Sequence, residues 1–144
     1  SFVGINDAAA NLGTEQFCVH YRLILDFLLS NNIRPVILEI PDVDIWTIFV
    51  KKPKKDLLID FLKSTMTQCG LDRYSEYREA LYKMLEQEDL LTHVVYVPMN
   101  KWNGEGTTIN PELFMTDQIH LNHKGYARLD TCIAVEIEKD LRNM

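Results

Sequence analysis

The sequence predicts an α/β domain built on a parallel sheet, and three observations carry that expectation. Short apolar runs stand at Phe2–Ile5, Pro35–Ile40 and His93–Pro98. Stretches with apolar residues at helical spacing separate them. Turn and breaker residues mark most of the borders. Strands that alternate with helices favour parallel pairing, because each helix carries the chain back along the sheet.

Each element can be justified in turn. Phe2 to Ile5 reads as a buried strand, and Asn6 to Gly13 as a polar loop of small residues. Thr14 is the expected N-cap of the first helix, with Glu15 in the first turn, where a negative charge suits the helix dipole. Phe17, Tyr21, Ile24, Leu25 and Leu28 form one face, and Asn31-Asn32 ends the helix. Pro35 to Ile40 is the second strand, closed by Pro41, because proline cannot continue a sheet ladder. Asp42 to Lys52 is irregular. Pro53 suits the first turn of a second helix whose apolar face is Leu57, Leu58, Phe61, Leu62 and Met66, and Gly70 stops it. A third helix runs from about Tyr74 to Glu88 with Tyr77, Leu81, Met84 and Leu85 inward. His93 to Pro98 is the third strand. Met99 to Thr116 reads as a long loop, of a length that is usually functional in a compact domain. The last helix covers about Asn122 to Arg142, with Tyr126, Leu129, Ile133, Ile137 and Leu141 on one face.

Composition narrows the function. At 144 residues, the chain is long enough for one domain with a real core. A net charge of −6 argues against nucleic-acid binding, which needs clustered Lys and Arg to neutralise phosphates. The dense basic cluster Lys51-Lys52-Pro53-Lys54-Lys55 reads as a solvated helix entrance. No apolar run is long enough to span a bilayer. Cys18, Cys69 and Cys132 lack metal-ligand spacing and an even count, so buried free thiols are expected at Cys18 and Cys132. No cofactor motif and no metal site are read, and the sequence sets no compartment.

The chemistry concentrates in two motifs. In Asp117-Gln118-Ile119-His120, an Asp three residues before a His can orient an imidazole as a general base. In Gly4-Ile5-Asn6-Asp7, an apolar strand stops at two polar side chains. Active residues of open parallel sheets gather at the strands' carboxyl ends. Asn6-Asp7, Pro41-Asp42 and the loop to His120 follow the three strands and open onto one edge. Together the motifs point to acyl-group hydrolysis. Asp7 reads as a structural cap, because a second acid beside a developing oxyanion opposes its charge. His123 forms His-x-x-His with His120, but a metal there would need a third ligand and would consume the base. Trp46 and Trp102 lie in loops near the expected site, either lining an acyl or sugar pocket or packing.

The pair Gly4-x-Asn6-Asp7 and Asp117-x-x-His120, followed by Gly125-Tyr126, resembles the third and fifth sequence blocks of the SGNH hydrolases, the GDSL-type esterases and lipases. The order of strands and helices matches that fold along the whole chain. The resemblance implies a three-layer, flavodoxin-like parallel sheet with helices on both faces. It implies His120 as general base, Asp117 as the carboxylate that orients it and Asn6 as an oxyanion-hole amide. Gly4 is implied as the close-packed glycine before Asn6, and Trp102 is the candidate substrate contact. The expected substrate is a small ester or an acylated carbohydrate.

One departure is clear. The Gly-Asp-Ser block that carries the family's nucleophile is not in this chain, and Ser1, Ser30, Ser64 and Ser75 have no such context. Residues 1–144 are therefore expected to be the C-terminal part of one SGNH domain, with the N-terminal strands missing. A companion N-terminal segment or a homo-oligomer is expected to cover the bared edge beside Phe2 to Ile5. An acyltransferase on the same residues, or a non-catalytic binding or scaffold module, are the alternatives.

Overall fold

The computed structural model describes residues 12–41, 74–104, 110–116 and 120–144. The expected strand Phe2 to Ile5 and the helix following Pro53 lie outside the described residues, as do Cys69 and the sheet edge expected to need a cover.

Gly13 opens the first helix, α1 (Thr14–Ser30), and Thr14 does not cap it. Gly13 has φ 92 and ψ 139, a left-handed backbone that glycine adopts without steric cost. Its carbonyl accepts the N–H of Phe17 at 3.0 Å. Its own N–H donates to the Tyr77 hydroxyl at 2.7 Å, so the start of α1 is tied to a distant helix instead of to a local side chain. The other end follows the sequence reading. Asn32 takes φ 57, its N–H reaches the Leu29 carbonyl at 3.0 Å, and the Ile33 N–H reaches Leu28 at 2.9 Å. That pair of bonds is the Schellman closure of a helix C-terminus.

Strand β1 (Val36–Leu38) and strand β2 (Val95–Val97) pair in parallel, with Val36 opposite Val95 and Leu38 opposite Val97. Bonds from Val95 N–H to the Pro35 carbonyl (2.8 Å) and from Glu39 N–H to the Val97 carbonyl (3.0 Å) continue the ladder at both ends. Between the strands comes α2 (Tyr74–Gln87), with Tyr77, Leu81, Met84 and Leu85 buried as its periodicity predicts. After β2, single turns of 3-10 helix at Met99–Lys101 and Pro111–Leu113 give structure to the stretch read from sequence as loop. The last helix is α3 (His123–Asn143).

Alternation of side chains along the strands sorts the core into two clusters. Ile37, Val94 and Tyr96 pack with Phe17 and Leu25 of α1 and with Tyr77, Leu81 and Leu85 of α2. The rings of Phe17 and Tyr77 lie 5.2 Å apart at that junction. Leu38, Val95 and Val97 face the other way, onto Trp102, Leu113, Phe114, Leu121 and Leu129. Among the described residues, the protein is thus a mixed α/β structure, mostly helical, around a two-stranded parallel sheet. No described helix is long and apolar enough to cross a membrane.

Several packing expectations need correction. Ile24, Tyr126 and Leu141 are 51%, 54% and 60% exposed, although each belongs to the expected apolar face of its helix. On α3 Leu129 is buried and Ile133 partly buried, as the periodicity predicts, but Gly125 and Cys132 turn inward with them where Tyr126 and Leu141 do not. Cys18 and Cys132 are free but half-buried, not buried. Burial still pushes both thiols up, helped by Glu88 beside Cys18 and Glu136 beside Cys132.

At the amino end of the sheet, Arg34 joins three distant pieces. Its guanidinium meets both carboxylate oxygens of Asp140 on α3, at 2.5 and 2.6 Å, and donates to the Thr92 carbonyl at 3.0 Å.

Candidate functional site

His120 is exposed, and the backbone that carries it is held from both sides. Phe114 and Leu121 form an antiparallel bridge. The Met115 N–H donates to the His120 carbonyl at 2.7 Å, and the Asn122 N–H donates to the Leu113 carbonyl at 2.9 Å. Leu121 next to it is 3% exposed and packs in the cluster with Leu113 and Phe114. A polar side chain is thereby presented to solvent on a backbone fixed by an apolar neighbour.

Asn122 completes the clamp. It is the N-cap of α3, and its Oδ1 accepts the Gly125 N–H at 3.0 Å. Its Nδ2 donates to the Glu112 carbonyl at 2.8 Å and to the Phe114 carbonyl at 3.0 Å. One amide therefore uses its acceptor on the helix and both its donors on the preceding turn, whereas an Asp cap has no donor and a Ser cap only one. Gly125 explains the glycine in the sequence string. A Cβ built there would stand 2.1 Å from the Leu113 carbonyl oxygen and 2.9 Å from Leu121 Cδ2. The first turn of α3 comes this close to the Pro111–Leu113 turn only because residue 125 has no side chain.

Of the two roles open to Trp102, lining a pocket or packing, the structure shows the packing one. It is fully buried, tilted against Phe114 at a centroid distance of 6.3 Å, in the cluster that includes Leu113, Leu121 and Leu129. The 3-10 turn at Met99–Lys101 folds the indole under the His120 clamp. Its neighbour Asn103 is also buried, and its side-chain oxygen accepts the Asn110 N–H at 3.0 Å, just before Pro111. Asp117, Asn6 and Gly4 lie outside the described residues, so of the five predicted site positions the structure places His120 and Trp102.

A second polar group occupies the carboxyl ends of the paired strands, and the sequence reading passed over it. Glu39, just after β1, accepts the Met99 N–H on its Oε2 at 2.6 Å, joining the exits of the two strands. The Tyr96 hydroxyl hydrogen-bonds the same carboxylate. Burial first, then the charge and hydrogen bond of Glu39, hold the Tyr96 phenol well above its ordinary value, against the pull of the Arg78 guanidinium. Arg78 donates to the Ile40 carbonyl at 3.0 Å, and the Tyr82 ring meets Tyr96 edge-on at 5.5 Å. The available signal was an acid inside an otherwise apolar strand run, Pro-Val-Ile-Leu-Glu-Ile. Such an acid needs partners that outweigh its desolvation. Among the described residues, no group of three or more His, Cys, Asp or Glu is arranged to hold a metal.

Comparison of the chain with protein-family models, with curated proteins and with solved structures finds no match in any of the three.

Proposed function

We propose that these residues are the C-terminal part of an SGNH-type serine ester hydrolase, acting on a small ester or an acylated carbohydrate. The observation that carries the reading is the ordered pair of motifs, Gly4-x-Asn6-Asp7 and Asp117-x-x-His120, in a chain whose described strands run parallel. The exposed His120 on a clamped backbone supports the reading, because a general base must be held within hydrogen-bond reach of the hydroxyl it deprotonates. Helices packed on both faces of the strand pair support the larger three-layer, flavodoxin-like sheet as the parent architecture.

In this mechanism the serine block lies outside these 144 residues, upstream or on a companion chain. His120 takes the serine proton as the hydroxyl attacks the ester carbonyl. The imidazolium then gives that proton to the departing alcohol. Asp117 holds the ring's tautomer and stabilises the imidazolium. The Asn6 amide donates to the oxyanion, a contact worth about 3 kcal/mol in comparable sites. Water, deprotonated by His120, releases the acid and restores the serine.

The chain alone is expected to turn over no ester. Supplied with a segment bearing a Gly-Asp-Ser block, it is expected to hydrolyse p-nitrophenyl acetate. His120→Ala should then lower kcat by about 10²–10⁴-fold and Asn6→Ala by about 10²–10³-fold. A complemented protein that is folded but inert, or one indifferent to His120→Ala, overturns the assignment.

A further inference from the structure

We propose that the flank of α3 carries a binding groove for a small phosphorylated sugar or polyol, separate from the His120 site and independent of the reading above. Between α3 and the Met99–Lys101 turn lies an open groove of about 390 Å³. That volume is within the ~300–1,000 Å³ range of small-molecule sites.

The charges around it point to an anion. Among the described residues, Lys101, Arg128 and Lys139 line the groove with one acid, Glu136. The Glu136 carboxylate is 17% exposed, with Lys139 Nζ at 2.7 Å and Lys101 Nζ at 4.0 Å. Arg128 makes no ion pair among the described residues. The described lining therefore holds three basic side chains against one acid, a surplus of two positive charges, on a chain whose net charge is −6. A phosphomonoester carries roughly −1.5 to −2 at neutral pH, which matches that surplus. The planar guanidinium of Arg128 suits two phosphate oxygens at once, and the two ammonium groups serve as point charges.

The remaining lining suits the body of such a ligand. The Thr131 hydroxyl already donates to the Ala127 carbonyl at 2.9 Å, so it is left to accept, as a sugar hydroxyl requires. Val135 and Cys132 form an apolar floor for a carbon face. Cys132 lies nine residues beyond His123, which along a helix is about 14 Å. The groove thus sits well down α3 from the histidine clamp.

The test is calorimetric titration of the full 144-residue chain with glucose 6-phosphate, glucose and inorganic phosphate. Glucose 6-phosphate should bind, inorganic phosphate should bind more weakly, and glucose should not bind. Arg128→Gln should weaken binding roughly tenfold, as expected for a lost charge-assisted bidentate contact. Arg142→Gln, on the same helix but outside the groove, should leave binding unchanged. A second readout needs no calorimeter: in a Cys18→Ser, Cys69→Ser background, glucose 6-phosphate should slow iodoacetamide alkylation of Cys132. No binding at millimolar glucose 6-phosphate overturns the proposal. So does equal weakening by Arg128→Gln and Arg142→Gln, which would mark diffuse surface charge, or binding that leaves Cys132 alkylation unaltered.

Discussion

Replacing Gly125 with alanine tests whether the His120 clamp depends on close backbone approach. The new Cβ would stand 2.1 Å from a backbone oxygen, whereas real Cβ atoms essentially never come within 3.0 Å of such a neighbour. Leu113 cannot yield easily, because it is fully buried and its carbonyl also accepts the Asn122 N–H. The first turn of α3 must therefore back away. Overpacking of this kind costs about 1–3 kcal/mol. Loosening the Asn122–Gly125 cap adds roughly 0.5–1.5 kcal/mol. Alanine's better helix propensity returns about 1 kcal/mol. The expected net loss is about 1–3 kcal/mol, or a fall in Tm of about 2–4 °C for each kcal/mol at this chain length. Urea denaturation followed by circular dichroism measures it, with Thr131→Ala on the exposed face of α3 as the reference. A Gly125→Ala protein as stable as the parent, or more stable, refutes the reasoning, since propensity alone would then decide the outcome.

Three further expectations follow from the same packing. Asn122→Ala should cost about 1–2 kcal/mol in chemical denaturation, and Asn122→Asp should recover only the cap's share, because aspartate cannot donate to Glu112 and Phe114; equal stability of the Asp variant and the parent contradicts this. Trp102→Ala should cost about 3–5 kcal/mol as a core cavity, and the indole of the parent should resist acrylamide quenching; ready quenching of Trp102, isolated in a Trp46→Phe background, would return it to the surface. Burial pushes the Tyr21 phenol up to about 12. Since the folded value is raised, Tyr21 favours the native state fully below pH ~10, and that contribution fades as pH climbs through about 12. Phenolate absorbance should show Tyr21 ionising late, and Tyr21→Phe should flatten the alkaline loss of stability; an unaltered alkaline profile would argue against it.

Periodicity made some of this fold legible, and packing geometry hid the rest. The inward face of α2 was readable because Tyr77, Leu81, Met84 and Leu85 repeat at helical spacing and meet a continuous core. The exits at Asn31-Asn32 and the two described strands were readable from turn chemistry and apolar runs. The exposure of Tyr126 on α3 was not, because it depends on the helix docking through Gly125 against the Leu113 carbonyl, and no hydrophobic count registers that approach. The start of α1 misled for a related reason: Thr14 has the right chemistry to cap, but the Tyr77 hydroxyl, remote in sequence, engages the Gly13 N–H. Trp102 sits in a stretch without period, so its burial followed only from the 3-10 turn that folds it beneath Phe114. At the candidate site, the local string Leu121-Asn122-His123-Lys124-Gly125 turned out to encode the clamp, while Glu39 was overlooked inside a strand read only for its apolar neighbours.

The rivet at Arg34 sets a timetable for synthesis. Its carboxylate mate is made 106 positions later. At ribosomal speeds of about 5–20 residues per second, that is a wait of roughly 5–20 s. Through that interval β1 can pair with β2 and Arg34 can reach Thr92, but α3 stays unlatched from the amino border of the sheet until Asp140 leaves the exit tunnel.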